Sequence, residues 1–159
     1  QWIEQDKKIT PLKTLQGYIW AKGYADGELI GHVYSDAVEN LKKWHEQGIR
    51  LYVYSSGSVA AQKLIFGHTE YGDLTYLFTD YFDTHIGGKR EPMSYHEIAR
   101  KIELPASEIL FLSDIVFELD AAAAMGIRTI GLDRQCIGEG FGPHQFVHSF
   151  DEIQLSAVP

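Results

Sequence analysis

The sequence predicts an α/β fold, a parallel Rossmann-like sheet with helices on both faces. Three observations predict it. Short apolar runs rich in β-formers recur along the chain, among them "IRLYVY", "EILFLS" and "IRTIGL". Segments with one apolar helical face alternate with them, the pattern of strand–helix–strand units. The run "EILFLS" shows no polar alternation, as a strand covered on both faces requires. A length of 159 residues suits one domain, and a 45% hydrophobic share with 13% aromatics is enough to bury a core. No run approaches the ~18 to 20 apolar residues of a membrane span.

Each element has its own local signal. Thr10-Pro11 reads as a helix N-cap with proline in the first turn. Leu12, Leu15 and Ile19 then mark one helical face, which Gly23 and "ADG" (Ala25 to Gly27) end. Residues 1–27 are therefore expected to be helical, with a boundary near Gly27. "LIGHVY" (Leu29 to Tyr34) is an extended entry to the next unit. Asp36 and Glu39 fit a capping pair, with Ala37, Leu41 and Trp44 on one face and Gly48 as a stop. Ile49–Tyr54 is a strand, and Ser58–Phe66 a short helix closed by Gly67. "YFDTHIG" (Tyr81 to Gly87) is a weaker strand or loop. Met93–Ile102 is a helix with Tyr95, Ile98 and Ile102 on one face. Glu108–Ser113 is a strand, Val116–Gly126 a helix ending in glycine, and Ile127–Leu132 another strand. Gln135–Gly142 is a glycine-rich loop, and Phe146–Ile153 a last short strand and turn.

Composition narrows the function classes. The net charge is −8, and no basic surface of the kind that neutralises nucleic-acid phosphates is visible. An anionic substrate would need local cations or a metal to offset that field. The lone cysteine, Cys136, excludes an internal disulfide, and a cytoplasmic location is the simplest expectation. The start, "QWIEQDKKIT", lacks the charged-then-apolar order of a signal peptide. It also lacks an initiator methionine and begins amid helix-like sequence, which reads as a processed or truncated chain. His144 and His148 stand four apart, but in a Gly/Pro-flanked stretch where a zinc-binding helix is not expected. Trp2, Trp20 and Trp44 read as core or cap packing.

In parallel α/β sheets, ligands bind beyond the carboxyl ends of the strands. Three strand ends carry chemistry. After Tyr54 come Ser55, Ser56, Gly57 and Ser58, hydroxyls and backbone donors at a helix start. They suit an anion, or simple helix capping. No G-x-x-x-x-G-K-[ST] loop is present. After Ile86 comes "GGKREP", where Lys89 offers a point charge for phosphate, or belongs to a solvated turn. After Leu112 come Ser113 and Asp114, with Glu118 four positions on. A carboxylate there suits Mg²⁺, or caps the next helix. Glu118 lies on the same helical face and would support Asp114 or the metal's waters. Each alternative is simple on its own. Hydroxyl, lysine and carboxylate after successive strands point together to phosphate chemistry.

The order strand–Ser, Lys, strand–Asp-x-x-x-acid resembles motifs two to four of the haloacid-dehalogenase-like superfamily. "YVYSSGSVAAQKLIFGHTEYGDL", "FDTHIGGKREPMSY" and "ILFLSDIVFELDAAAAMG" are similar to the enolase-phosphatase (acireductone synthase) family of methionine salvage. "DKKITPLKTLQGYIW" is similar to that family's segment before the core resumes. The resemblance covers nearly the whole chain. It implies that Ser55 and Ser56 contact the substrate phosphate and that Lys89 neutralises charge on the phosphoryl group and nucleophile. It also implies that Asp114 is a Mg²⁺ ligand, with Glu118 in support. Residues 1–27 would be the C-terminal part of a helical cap, and residues 28–159 a haloacid-dehalogenase-like core lacking its first strand. The substrate implied is 2,3-diketo-5-methylthiopentyl-1-phosphate.

One part of the pattern is missing. The family's nucleophilic aspartate, in an Asp-x-Glu pair after the first strand, has no counterpart here. Asp26-Gly27-Glu28 has the spacing but follows no apolar run. The absent segment amounts to about a third of the length such a protein needs. The 159-residue chain alone is therefore expected to be inactive. Its sheet is expected to hold a slot for the missing N-terminal segment or another chain. Two alternatives stand beside this reading. One is a related phosphatase for another small phosphate ester. The other is a non-catalytic α/β module that binds phosphate or a partner.

Overall fold

A computed structural model describes residues 10–155, with side chains from Gln16 onward. Helix α1 (Thr10–Ala25) leads into an exposed turn at Asp26-Gly27. The earlier part of the helix expected over 1–27, and Trp2 with it, lies outside the described residues. Trp20 is 39% exposed and lies outside the core, whereas Trp44, at 4%, is part of it. The chain then runs extended to α2 (Ser35–Glu46), touching Thr69 by a single parallel bridge at Gly31.

From there strands and helices alternate: β1 (Leu51–Tyr54), α3 (Val59–Gly67), β2 (Phe78–Phe82), α4 (Pro92–Ile102), β3 (Leu110–Ser113), α5 (Val116–Ala124), β4 (Arg128–Leu132) and β5 (Phe146–Val147). All ladders are parallel, as the covered apolar runs require. Among the described residues they form two sheets, β1–β2 and β3–β4–β5. Tyr52 faces Asp80 and Tyr54 faces Phe82 in the first; Leu112 faces Ile130 and Ser113 faces Gly131 in the second. Among the described residues β1 and β3 each keep one edge without a strand partner. Both are only half-buried over most of their length.

The core forms where helices cover these strands. Tyr95, Ile98 and Ile102 of α4 are buried, spaced as their helical face predicts. Leu119, Ala121 and Ala122 of α5 are buried too, and Ala121 and Ala122 pack with Tyr95 and Ile127. Tyr95 is 1% exposed and stands edge-on to two rings, Tyr54 of β1 at 5.6 Å and Phe111 of β3 at 5.0 Å. One buried ring thus packs against both sheets.

Two local expectations are corrected. β2 begins at Phe78, three residues earlier than the sequence pattern implies, because Thr79 and Asp80 sit exposed on an edge strand and hide its apolar alternation. Asp36 and Glu39 do not form a capping pair. The cap position of α2 is Tyr34, without a side-chain cap, and Asp36 turns instead to the C-terminal end of the chain. There it accepts hydrogen bonds from Arg134 Nη1 at 2.8 Å, Phe150 N at 2.8 Å and Ser149 Oγ at 3.1 Å. The guanidinium of Arg134 lies 4.3 Å from the Tyr34 ring centre, so Asp36 faces a cation held in place by stacking. A long-range ion pair outcompetes a local cap here because it satisfies the carboxylate with three donors.

Burial pushes the Asp36 carboxyl up, but those hydrogen bonds and the Arg134 charge together hold it below its ordinary value. A depressed carboxylate contributes stability that is present above its unfolded pKa and is lost as pH falls through the folded one. Asp36→Asn is therefore expected to cost about 1–3 kcal/mol at neutral pH and to flatten the acid side of the stability curve. Urea unfolding at a series of pH values measures both; an unchanged neutral midpoint would sink the assignment.

Candidate active site

The three chemistry-bearing strand ends follow β1, β2 and β3. After β1 the backbone N–H of Ser55 still donates to Phe82 O at 3.1 Å, which extends the ladder by one residue. Ser55 Oγ accepts from Gly57 N at 3.1 Å, and Ser58 is the N-cap of α3, accepting from Ala61 N at 3.1 Å. Capping therefore belongs to Ser58. Ser55 Oγ keeps its own proton to donate, and Ser56 is exposed beside it. Underneath, Gln62 Nε2 donates to Gly57 O and Phe82 O, both at 2.9 Å, tying the turn to β2.

Asp83, one residue beyond β2, braces the same turn. Its carboxylate accepts from Val59 N at 3.2 Å, His85 N at 2.9 Å and the His85 ring at 2.7 Å. Burial pushes this carboxyl up, and the hydrogen bonds from His85 and Val59 outweigh it and hold the group below its ordinary value. An anionic side chain thus occupies one donor of the α3 N-terminus, where the helix dipole favours negative charge.

The loop after Asp83 brings Lys89 to the end of β3. Its ammonium lies 2.7 Å from Glu118 Oε2, with the lysine side chain 25% and the glutamate 10% exposed. The same Glu118 oxygen accepts from Ser113 Oγ at 2.8 Å. Ser113 Oγ in turn accepts from Ile115 N at 3.1 Å, where α5 begins. Asp114 does not cap α5. Its side chain is exposed, and among the described residues it has no ion-pair partner. The structure therefore brings Lys89 and Glu118 into direct contact and leaves Asp114 free at the carboxyl end of β3. Glu118 turns to Lys89 and Ser113, a pairing that the four-residue spacing from Asp114 does not reveal.

Residues that the sequence pattern did not single out hold this arrangement. Ser113 is read only as the end of a strand, Tyr95 only as an apolar helix position, and Tyr54 only as a strand residue. Their hydroxyls donate to Glu118 and to the carbonyls of Gly87 and Lys89, and position in the sequence carries no signal of where a hydroxyl points. Asp26-Gly27-Glu28 lies in an exposed turn after α1 and follows no strand. Cys136 is exposed on the loop after β4. His144 sits between Thr129 Oγ1 and Asp120 Oδ1, both at 2.8 Å, and His148 Nδ1 stands 3.0 Å from Asp133 O. Among the described residues no group of three or more His, Cys, Asp or Glu side chains is placed to share a metal.

A parallel α/β core with Ser, Lys and Asp beyond successive strands defines a class. Residues 2–126 match the family model described as haloacid dehalogenase-like hydrolase, and the chain belongs to that family. Its relatives narrow the likeness. It is 60% identical over 149 residues to the enolase-phosphatase E1 of Thioalkalivibrio sulfidiphilus, covering 94% of this chain and 66% of that protein. The enolase-phosphatase E1 of Pseudomonas aeruginosa strain LESB58 is also 60% identical, covering 96% of this chain and 67% of that protein. This chain thus spans about two-thirds of the length of these relatives. Among solved structures, the UTR4 protein of Saccharomyces cerevisiae superposes with a TM-score of 0.83 at 38% identity, over 96% of this chain and 71% of that one. The CbbY protein of Rhodobacter sphaeroides, solved with phosphate, shares the fold with a TM-score of 0.72 at 19% identity, over 89% of this chain and 64% of that one. No described helix is long and apolar enough to cross a membrane.

The Lys89–Glu118 pair is mostly shielded from water, so removing one charge exposes the other to an uncompensated site. Glu118→Gln is expected to destabilise the fold by about 1–3 kcal/mol, read by urea unfolding. Lys89→Met in the same background should recover part of that loss, because the stranded cation is then gone. Additive losses in the double variant would show that the two side chains do not act as a pair.

Proposed function

We propose that this chain carries the phosphate-handling part of a Mg²⁺-dependent enolase-phosphatase, acting on 2,3-diketo-5-methylthiopentyl-1-phosphate to give an acireductone in methionine salvage. The protein would work in the cytoplasm. The observation that carries this reading is a half-buried lysine, held 2.7 Å from Glu118, at the strand end beside Asp114. The similarity to proteins named enolase-phosphatase E1 supports the choice of substrate.

In this reading Ser55 and Ser56 donate hydroxyl hydrogen bonds to phosphate oxygens. Lys89 supplies positive charge where negative charge gathers on the transferring phosphoryl group, and Glu118 keeps that ammonium aimed. Asp114 fits Mg²⁺ by its chemistry, as an exposed oxygen donor at a strand end with no ion-pair partner among the described residues. When bound there, the ion would offset charge on the phosphoryl group.

The nucleophilic aspartate is not among the residues assigned here. The Asp-x-acid spacing at Asp26 lies in an exposed turn. We place the nucleophile on a strand that joins the free edges of β1 or β3, supplied by another segment of the same gene product or by another chain. A main-chain ladder would anchor such a strand.

Three measurements test the proposal. The 159-residue chain alone is expected to leave p-nitrophenyl phosphate intact; turnover by a sample of confirmed mass would overturn the placement of the nucleophile. The full-length gene product is expected to release phosphate from the diketone phosphate together with the absorbance of an acireductone. Phosphate release without that absorbance, or a preference for sugar phosphates, would favour a phosphatase for another ester, and no release at all a binding module. Ser55→Ala in the full-length protein should cut turnover on the order of 100-fold while costing about 1 kcal/mol of stability. Equal activity would remove Ser55 from the site.

A further inference from the structure

The loop that carries Lys89 is held by hydroxyls. Three consecutive carbonyls, those of Gly87, Gly88 and Lys89, each accept a side-chain hydroxyl hydrogen bond. Tyr54 Oη donates to Gly87 O at 2.8 Å, Ser94 Oγ to Gly88 O at 2.8 Å, and Tyr95 Oη to Lys89 O at 2.6 Å. Loop carbonyls near a surface ordinarily turn to water. Here they turn inward, toward donors that are largely withdrawn from solvent: Ser94 and Tyr95 are each 1% exposed.

The loop backbone is shaped to allow this. Gly87 has φ +132°, a conformation side chains disfavour, and a Cβ there would meet the Ser94 hydroxyl. The donors come from rigid elements, Tyr54 from β1 and the other two from the first turn of α4. Tyr95 is further wedged edge-on between Tyr54 and Phe111. Burial above all, with the charge of Glu118 and the Tyr54 hydroxyl adding to it, pushes the Tyr95 phenol up. It therefore stays protonated, a donor at any working pH.

We propose that Tyr54, Ser94 and Tyr95 form a hydroxyl clamp that positions Lys89 for phosphoryl transfer, with Tyr95 the decisive member. The inference rests on the role given to Lys89 above. A lysine side chain has many rotamers, and an ammonium that must meet a transferring phosphoryl group gains from a fixed backbone origin. Tyr95 fixes that origin at the carbonyl of Lys89 itself, while Glu118 fixes the far end. Neither phenol touches the substrate in this scheme. They are positioning residues that act through Lys89.

The test separates positioning from stability. Tyr95→Phe removes one oxygen and keeps the ring packing. In the full-length gene product it is expected to lower kcat on p-nitrophenyl phosphate on the order of 10-fold, with KM little changed. In a Lys89→Met background the same substitution should change the residual rate by less than about twofold, since nothing is left to position. Tyr54→Phe should act in the same direction, and it serves as the readout if Tyr95→Phe does not fold. Wild-type kcat in both tyrosine variants overturns the clamp. So does a 10-fold loss that persists without Lys89, which marks a structural role alone.

If the unsubstituted protein hydrolyses no phosphate ester, the proposed function fails, and the clamp is then judged by NMR of the lysine side chain. A Lys89 ammonium resonance that shifts and broadens in Tyr95→Phe supports it, and an unmoved resonance overturns it.

Discussion

The buried packing of Tyr95 between Tyr54 and Phe111 is the constraint on which the rest of the molecule depends. β1 and β3 share no ladder among the described residues, so main-chain hydrogen bonds do not join the two sheets. Side chains of α4 and its neighbours do. Tyr95 packs in a cluster with Ala121, Ala122 and Ile127, while Ile98 and Ile102 pack with Phe82, and Ile109 borders both groups. An aromatic ring suits this place because it is large, stiff and satisfied by two edge-on neighbours. Its one polar atom must also find a partner in the interior, and it finds the carbonyl of Lys89. The packing that joins the sheets therefore also orients the loop that carries the lysine.

Electrostatics at the site follow from that placement. The chain carries a net charge of −8, a field unfavourable to an anionic ester. The local arrangement works against it in two ways. Glu118, mostly buried, spends its charge on Lys89 and Ser113 instead of facing an incoming anion. Asp83 is likewise engaged by His85 and by the backbone at the start of α3. Of Glu118, Asp83 and Asp114, only Asp114 is exposed and without an ion-pair partner among the described residues.

The elements with strong local signals were legible in the sequence. α4 and α5 carry clear faces or clean stops, β3 is a nearly continuous apolar run, and β4 is a short run rich in β-formers. β2 was only half legible, because an edge strand exposes Thr79 and Asp80 and so loses the alternation that marks a strand. Asp36 was misread for a related reason. Its spacing from Glu39 matches a capping pair, yet Arg134 and Phe150, far along the chain, offer it more donors than its own helix does. Asp114 and Ser113 exchanged roles in the same way: the backbone at the start of α5 bonds to the serine, and the aspartate is left outward.

By itself the sequence determined the class of fold and which residues stand at the strand ends. Both follow from periodicity and from residue type at a turn, which are local properties of a chain. Ser55, Ser56, Lys89 and Asp114 were each found at such a turn. Tertiary structure alone decided how those turns are arranged: that Glu118 meets Lys89, and that Tyr54, Ser94 and Tyr95 point their hydroxyls at one loop. The reason is physical. A side chain's partner across the fold depends on the packing of elements far apart in sequence, and that packing decides which carbonyl a buried hydroxyl can reach.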